Sequence, residues 1–269
     1  MDKSKQAINS MVYKKGFQRR VNKADLPTCT ILGTEVLVGN MEWLVNYLAE
    51  NIRDLSGDYL TITATNEIIM AYEDDKFFKC QNGGVMSIPD GGPLKTYGQK
   101  RGHDKMERIT GPDLMLNLFR VSEAKGLRHY FYGTTQDTLD KMRVKLEKEY
   151  PKLQIAGMRP SRFRNLTEEE DRQTVEEINA TNPDFIWFSL GAPKGNYFVA
   201  DHQGVLRGFM MSVGAGFDYY ADNIRRAPAW MQTHDLEWLY RILQEPRRMM
   251  KRYFNIIPKF LWLAYVSKK

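Results

Sequence analysis

The chain predicts an α/β protein: a mainly parallel sheet flanked by helices, with a basic helical segment at the C-terminal end. Three observations predict it. Short β-branched or aromatic runs alternate with longer stretches of helical periodicity, the signature of βαβ units. That alternation stops near Ala221–Trp230, where a helical, basic stretch begins. Charge divides along the same lines. Residues 241–269 hold eight Lys or Arg against Glu245 alone, and residues 1–24 hold seven against Asp2 alone, so a chain of net +6 has a body of −7 over residues 25–240.

The expected strands are Cys29–Leu32, Tyr59–Thr63, Val85–Ile88, His129–Tyr132, Gln154–Gly157, Phe185–Leu190 and Gly208–Val213. Between them the expected helices are Met41–Asp54, Glu67–Asp75, Gly111–Ala124, Gln136–Glu149, Thr167–Ala180 and Tyr197–His202. Leu139, Met142, Leu146 and Tyr150 recur at helical spacing with Lys and Glu opposite them, which gives one apolar face. Thr135 precedes Gln136, and Thr167 stands three residues before Glu170, both start signals for helices. The arrangement is Rossmann-like, so ligands are expected outside the carboxyl ends of the strands. Residues 1–24 read as a basic tail, 25–221 as the α/β domain and 222–269 as a helical appendage.

Composition narrows the environment. Two cysteines, Cys29 and Cys80, are too few for a disulfide framework and point to a reducing compartment. The N-terminal residues lack the apolar core of a secretion signal. No apolar run approaches the roughly 20 residues that span a bilayer. The best candidate, Phe254–Val266, is interrupted by Asn255, Pro258 and Lys259 and suits a surface-lying helix. It interleaves cations with aromatic and aliphatic side chains, the composition of a segment resting on an anionic membrane. Such ends also read as solvated tails or nucleic-acid contacts. A non-catalytic protein binding nucleic acid or acidic membrane through its ends is therefore the alternative reading, although no nucleic-acid module is recognisable.

Chemistry gathers at the strand ends. Thr63, Thr65 and Asn66 stand at a strand-to-helix junction, where hydroxyl and amide groups bond sugars or phosphate, or simply cap the helix. Asp90, in Pro89-Asp90-Gly91, sits on a turn after a buried strand, placed as a general base or as an ordinary turn residue. Arg108 suits a diphosphate, or a salt bridge with Glu107 or Asp113. Arg241, Arg248 and Arg252 are spaced to share a helix face, with Lys251 beside it. They suit phosphate and an anionic surface, or simply form a solvated face. Asp74-Asp75 and Glu168–Asp171 read as solvated faces, so no metal site is expected. No strand is followed by G-x-G-x-x-G, which argues against a dinucleotide enzyme.

Seven motifs in order resemble the WecB/TagA/CpsF family of bacterial glycosyltransferases: Thr63–Ile68, Pro89–Gly91, Glu107–Leu114, Tyr150–Gly157, Gly191–Lys194, Val213–Ala221 and Arg226–Tyr253. The resemblance implies an inverting, metal-independent enzyme without a cofactor. It would move a sugar from a nucleotide-diphosphate donor, UDP by family habit, to an undecaprenyl-diphosphate-linked saccharide in surface polysaccharide synthesis. It implies a peripheral protein on the cytoplasmic face of the plasma membrane and no nucleic-acid partner; whether the sheet domain forms a homo-oligomer stays open. It implies Asp90 as general base, Thr63, Thr65 or Asn66 in the acceptor or donor pocket, and Arg108 facing phosphate. Gly191, Pro193, Lys194, Gly195 and Asn196 would meet donor or acceptor sugar. Two departures stand out: Gly195-Asn196 replaces the usual Gln-Glu, so selectivity should differ from N-acetylmannosamine transfer, and Asp222 replaces a common glycine.

Overall fold

The computed structural model describes residues 17–266; residues 1–16 and 267–269, and the side chains of Arg248, Lys251 and Arg252, lie outside the description. Most of the expected basic N-terminal tail thus lies outside it. The first expected strand does form, but not in the main sheet. β1 (Thr28–Ile31) pairs antiparallel with β2 (Thr34–Leu37), a strand the periodicity did not predict. Leu32 and Gly33 between them both take positive φ, the geometry of a tight hairpin turn.

After α1 (Met41–Leu55) the parallel sheet begins with β3 (Tyr59–Thr63), followed by α2 (Thr65–Glu73) and α3 (Asp75–Gly83). β4 (Met86–Pro89), α4 (Gly92–Gln99), α5 (Gly111–Lys125), β5 (Arg128–Gly133), α6 (Gln136–Glu149) and β6 (Gln154–Arg159) come next. Then come α7 (Glu168–Ala180), β7 (Phe185–Ser189), α8 (Lys194–Asp201), β8 (Phe209–Ser212) and short α9 (Gly216–Tyr220). The six strands lie in the order β4-β3-β8-β7-β5-β6, every neighbour parallel. Helices cover both faces, so strand residues alternate between two apolar clusters. Phe185 and Trp187 of β7 pack on one side, Ile186 and Phe188 on the other.

The sheet's two halves join at β3 and β8, which share only two register pairs, Tyr59 with Met210 and Leu60 with Met211. Beyond them the strands separate, and the start of α5 enters the gap. Gly111 approaches closely there: a Cβ would lie 2.6 Å from Ile62 Cδ1 and would push that side chain aside. The resulting crevice opens at the carboxyl ends of the sheet, where such folds bind ligands.

The remainder is helical: α10 (Ala229–Thr233), α11 (Glu237–Gln244) and α12 (Pro246–Leu261), closing in a π-helical turn over Trp262–Val266. Phe260, Leu263 and Ala264 bury themselves with Ile68, Ile69, Leu94 and Tyr97, so the described end of the C-terminal segment shares a core with the body. Arg101 stacks 3.8 Å from the Tyr97 ring centre and donates to the Ala264 carbonyl at 3.2 Å, pinning the last turn. Asp222 takes a left-handed φ of 59°, which explains why glycine suits that turn; its carboxylate is held by Lys145 at 2.6 Å.

Candidate functional site

A single cleft of about 1290 Å³ runs from the carboxyl ends of β3, β4, β7 and β8 to the inner face of α11 and α12. Its floor is polar, with Thr65, Asn66, Glu67, Asp90 and Asn196; its roof is apolar, with Ile256, Ile257, Leu261 and Tyr265.

β3 and β4 fix the first wall. Asp90 N–H donates to the Thr63 carbonyl at 2.9 Å, extending the β3–β4 ladder by one bond so that Asp90 projects from the strand tip. Its backbone carbonyl accepts from Arg108 Nε at 3.2 Å, while its carboxylate bonds no described protein group. Burial pushes the Asp90 carboxyl up to about 7; Glu237 and Glu67 add to the rise, against the cations Arg108 and Arg241. An acid so placed is half ionised near neutral pH, the range in which a general base works best.

Neither Thr65 nor Asn66 caps α2. The cap is Ala64, whose N–H is taken by the Glu67 carboxylate at 3.0 Å. Thr65 is buried on the cleft wall with its hydroxyl bonded to no described residue, and Asn66 lines the cleft while donating to Glu67 at 3.1 Å. Thr63 lies elsewhere. Its side chain is fully buried beneath the cleft, in a hydroxyl network with Thr61, Ser87 and Gln81. That network clamps β3 to β4 from below.

Arg108 lines the cleft, but its guanidinium is engaged. Glu237 takes one nitrogen and Asp235 another at 3.4 Å, not the neighbouring Glu107 or Asp113. Glu237 also accepts from Arg226 Nε at 3.2 Å, and Arg226 grips Asp113 through two bonds of 2.5 and 2.7 Å. One glutamate from α11 therefore ties the C-terminal segment to Arg108 of the body, and Arg226 of the same segment adds a second tie through Asp113. Among the described cations lining the cleft, Lys100, Arg225 and Arg241 have no carboxylate partner. Arg241 lies 5.6 Å from the Tyr219 ring centre, and Lys100 lies 5.5 Å from that of Tyr265.

On the opposite wall, Gly191 and Asn196 line the cleft, whereas Gly195 is buried behind it and Pro193 and Lys194 are not among its lining. Arg225, Tyr219, Ser212, Glu67 and Glu237 line the cleft and were not singled out by residue type and spacing. The matched Val213–Ala221 and Arg226–Tyr253 segments contained two of them; Arg225 and Ser212 lie one residue outside those segments. Among the described residues no group of His, Cys, Asp or Glu converges as metal ligands do, and no helix is long and apolar enough to cross a membrane.

The model of the Glycosyl transferase WecG/TagA/CpsF family matches residues 29–269. The chain belongs to that family. The N-acetylglucosaminyldiphosphoundecaprenol N-acetyl-β-D-mannosaminyltransferase of Bacillus subtilis (strain 168) is 27% identical over 91% of this chain and 93% of its own length. The transferase of the same name from Bacillus spizizenii is 25% identical, over 81% of this chain and 82% of its own. This WecG/TagA/CpsF protein is thus a glycosyltransferase, and the alternative of a non-catalytic basic protein falls.

Proposed function

We propose that this enzyme transfers a sugar from a nucleotide-diphosphate donor, UDP by resemblance, to a saccharide on undecaprenyl diphosphate, with inversion and with Asp90 as general base. The Asp90 carboxylate takes the proton of the acceptor hydroxyl. The hydroxyl oxygen then bonds the anomeric carbon from the face opposite the nucleotide, and the nucleoside diphosphate leaves with the bonding pair. The observation that carries this reading is the Asp90 carboxyl, in the cleft without a hydrogen-bond partner among the described residues and raised to about 7.

The cleft's polarity supports the substrate classes. A sugar needs polar groups such as Thr65 and Asn66, its diphosphate needs unpaired cations such as Arg225 and Arg241, and a prenyl chain needs the apolar roof. The names of both Bacillus relatives carry the same acceptor, a sugar on diphosphoundecaprenol. Leu243 and Phe254, each at least 70% exposed, lie on the C-terminal segment with exposed Trp230, Trp238 and Trp262. That surface, with the neighbouring cations, suits docking on an anionic leaflet beside the lipid acceptor.

The test is nucleotide release from a panel of UDP-sugars with a short-chain prenyl-diphosphate N-acetylglucosamine as acceptor. Release that depends on the acceptor, and is lost in Asp90→Asn with UDP binding kept, is the expected result. Near-normal turnover by Asp90→Asn would assign the base to another group.

A further inference from the structure

The wall opposite Asp90 is built from the ends of β7 and β8 and the start of α8. Its central side chain is Asn196. Asn196 is 6% exposed and faces the cleft, yet its carboxamide makes no hydrogen bond to any described protein group. What is accessible of that carboxamide opens into the cleft, where water serves it and a polar ligand group can take the water's place when the site fills. Its backbone is meanwhile held firmly: the Cys80 thiol donates to the Asn196 carbonyl at 3.0 Å, and Phe77 packs edge-on against Tyr197 at 5.7 Å.

The neighbouring position explains why Asn196 carries this duty alone. A Cβ on Gly195 would lie 2.1 Å from Ser212 Oγ and 2.5 Å from the Leu190 carbonyl. No side chain fits at 195 while that backbone oxygen and hydroxyl stand there. Ser212 itself lines the cleft and makes only a long 3.4 Å bond to the Leu190 carbonyl, so its hydroxyl is also open to a ligand.

Which substrate meets this wall follows from where the lipid enters. The apolar roof from α12 packs beside α2 and α4, through Phe260 and Tyr265 against Tyr97, and so covers the β3–β4 side. The prenyl acceptor belongs there. The β7–β8 wall is left for the donor.

Resting on the reading of the protein as a nucleotide-sugar transferase, we infer that Asn196, seconded by Ser212, is the specificity determinant that reads the transferred sugar. The group it reads is uncharged and both donates and accepts hydrogen bonds: a ring hydroxyl or an acetamido substituent. A carboxamide offers one donor and one acceptor edge and matches either, whereas it gives a carboxylate-bearing sugar no compensating charge.

Titration calorimetry of the full chain tests this, with UDP, UDP-glucose, UDP-N-acetylglucosamine and UDP-N-acetylmannosamine as probes. Asn196→Ala is expected to weaken the preferred UDP-sugar about tenfold, one hydrogen-bonded group, and to leave UDP itself within about twofold. Asn196→Ser, which keeps a small polar side chain, should fall between. A tenfold loss confined to the N-acetyl sugars identifies the acetamido group; the same loss with UDP-glucose identifies a hydroxyl. Retained UDP affinity shows that the variants fold. Equal loss for UDP and UDP-sugar, or no loss for either, overturns the role of Asn196 while leaving the transferase reading intact. Failure of the unmodified enzyme to bind any of the four overturns both.

Discussion

At the amino ends of β3 and β8, Arg19 closes on the buried Asp58 at 2.5 Å, and Gln203 adds a bond of 2.9 Å to the same carboxylate. At the carboxyl ends, Asp90, Thr65 and Asn196 line the cleft with no such partner among the described residues. Both regions bury polar groups beside a basic terminal segment of the chain. One is satisfied by the protein and fastens Arg19 to the sheet. The other is left for a ligand, at a cost in stability. The contrast separates charge that holds the fold from charge and polarity that act on a substrate.

Variants at the two ends should therefore read out differently. The largest effect is expected from Asp90→Asn, a loss of about 10²- to 10⁴-fold in turnover with nucleotide affinity unchanged. Next is Arg19→Ala, which leaves the Asp58 carboxylate buried without its cation; denaturant unfolding should show a loss of about 3 kcal/mol. Its kcat should match the unmodified enzyme, and a fall in kcat with unchanged stability would erase the distinction between the two ends. Arg241→Ala should weaken a lipid-diphosphate acceptor by about 2 kcal/mol, one charged hydrogen-bonding group, seen as a rise in its KM. Stability should hardly move.

The smallest effects concern pH. Asp90 must be ionised to take a proton, so kcat/KM should rise as pH increases through about 7 and fall below it. The linkage to stability runs the other way. A raised carboxyl pKa means the folded protein holds its proton more tightly than the unfolded chain. That contribution is full below the ordinary aspartate range and is lost as pH climbs through about 7. Asp90→Asn should accordingly be more stable than the parent at pH 8, by something on the order of 1 kcal/mol since the cleft admits solvent, and no more stable at pH 4.

Much of the architecture was legible along the chain because it is local. Gln136–Glu149 and Tyr59–Thr63 appear with the bounds expected from periodicity. The polar, one-sided helix at Gln136 and the β-branched run at Tyr59 each carry a single unambiguous signal. β2 and α4 escaped notice. Thr34–Leu37 is only four residues long, and Gly92–Gln99 contains two glycines and a proline, so the first is too short and the second too rich in helix breakers to signal its element. Asp90 was legible as a strand-tip acid, and Asn196 through its place after Gly191-Ala192-Pro193.

The order of those motifs along the chain pointed to the family, and the alternation of strand and helix to the parallel sheet at whose carboxyl ends the candidate cleft opens. Only the tertiary structure decided how each group is used. Thr63 ends β3 and turns inward to a hydroxyl network, while Thr65 lines the cleft, because the strand stops between them and Thr65 opens the first turn of α2. Arg108 is matched by Glu237 rather than by Glu107 or Asp113, a pairing across 129 positions that no local pattern encodes. Ser212 bars a side chain at Gly195 and leaves the neighbouring wall to Asn196, because excluded volume acts between residues that meet only once the sheet is assembled.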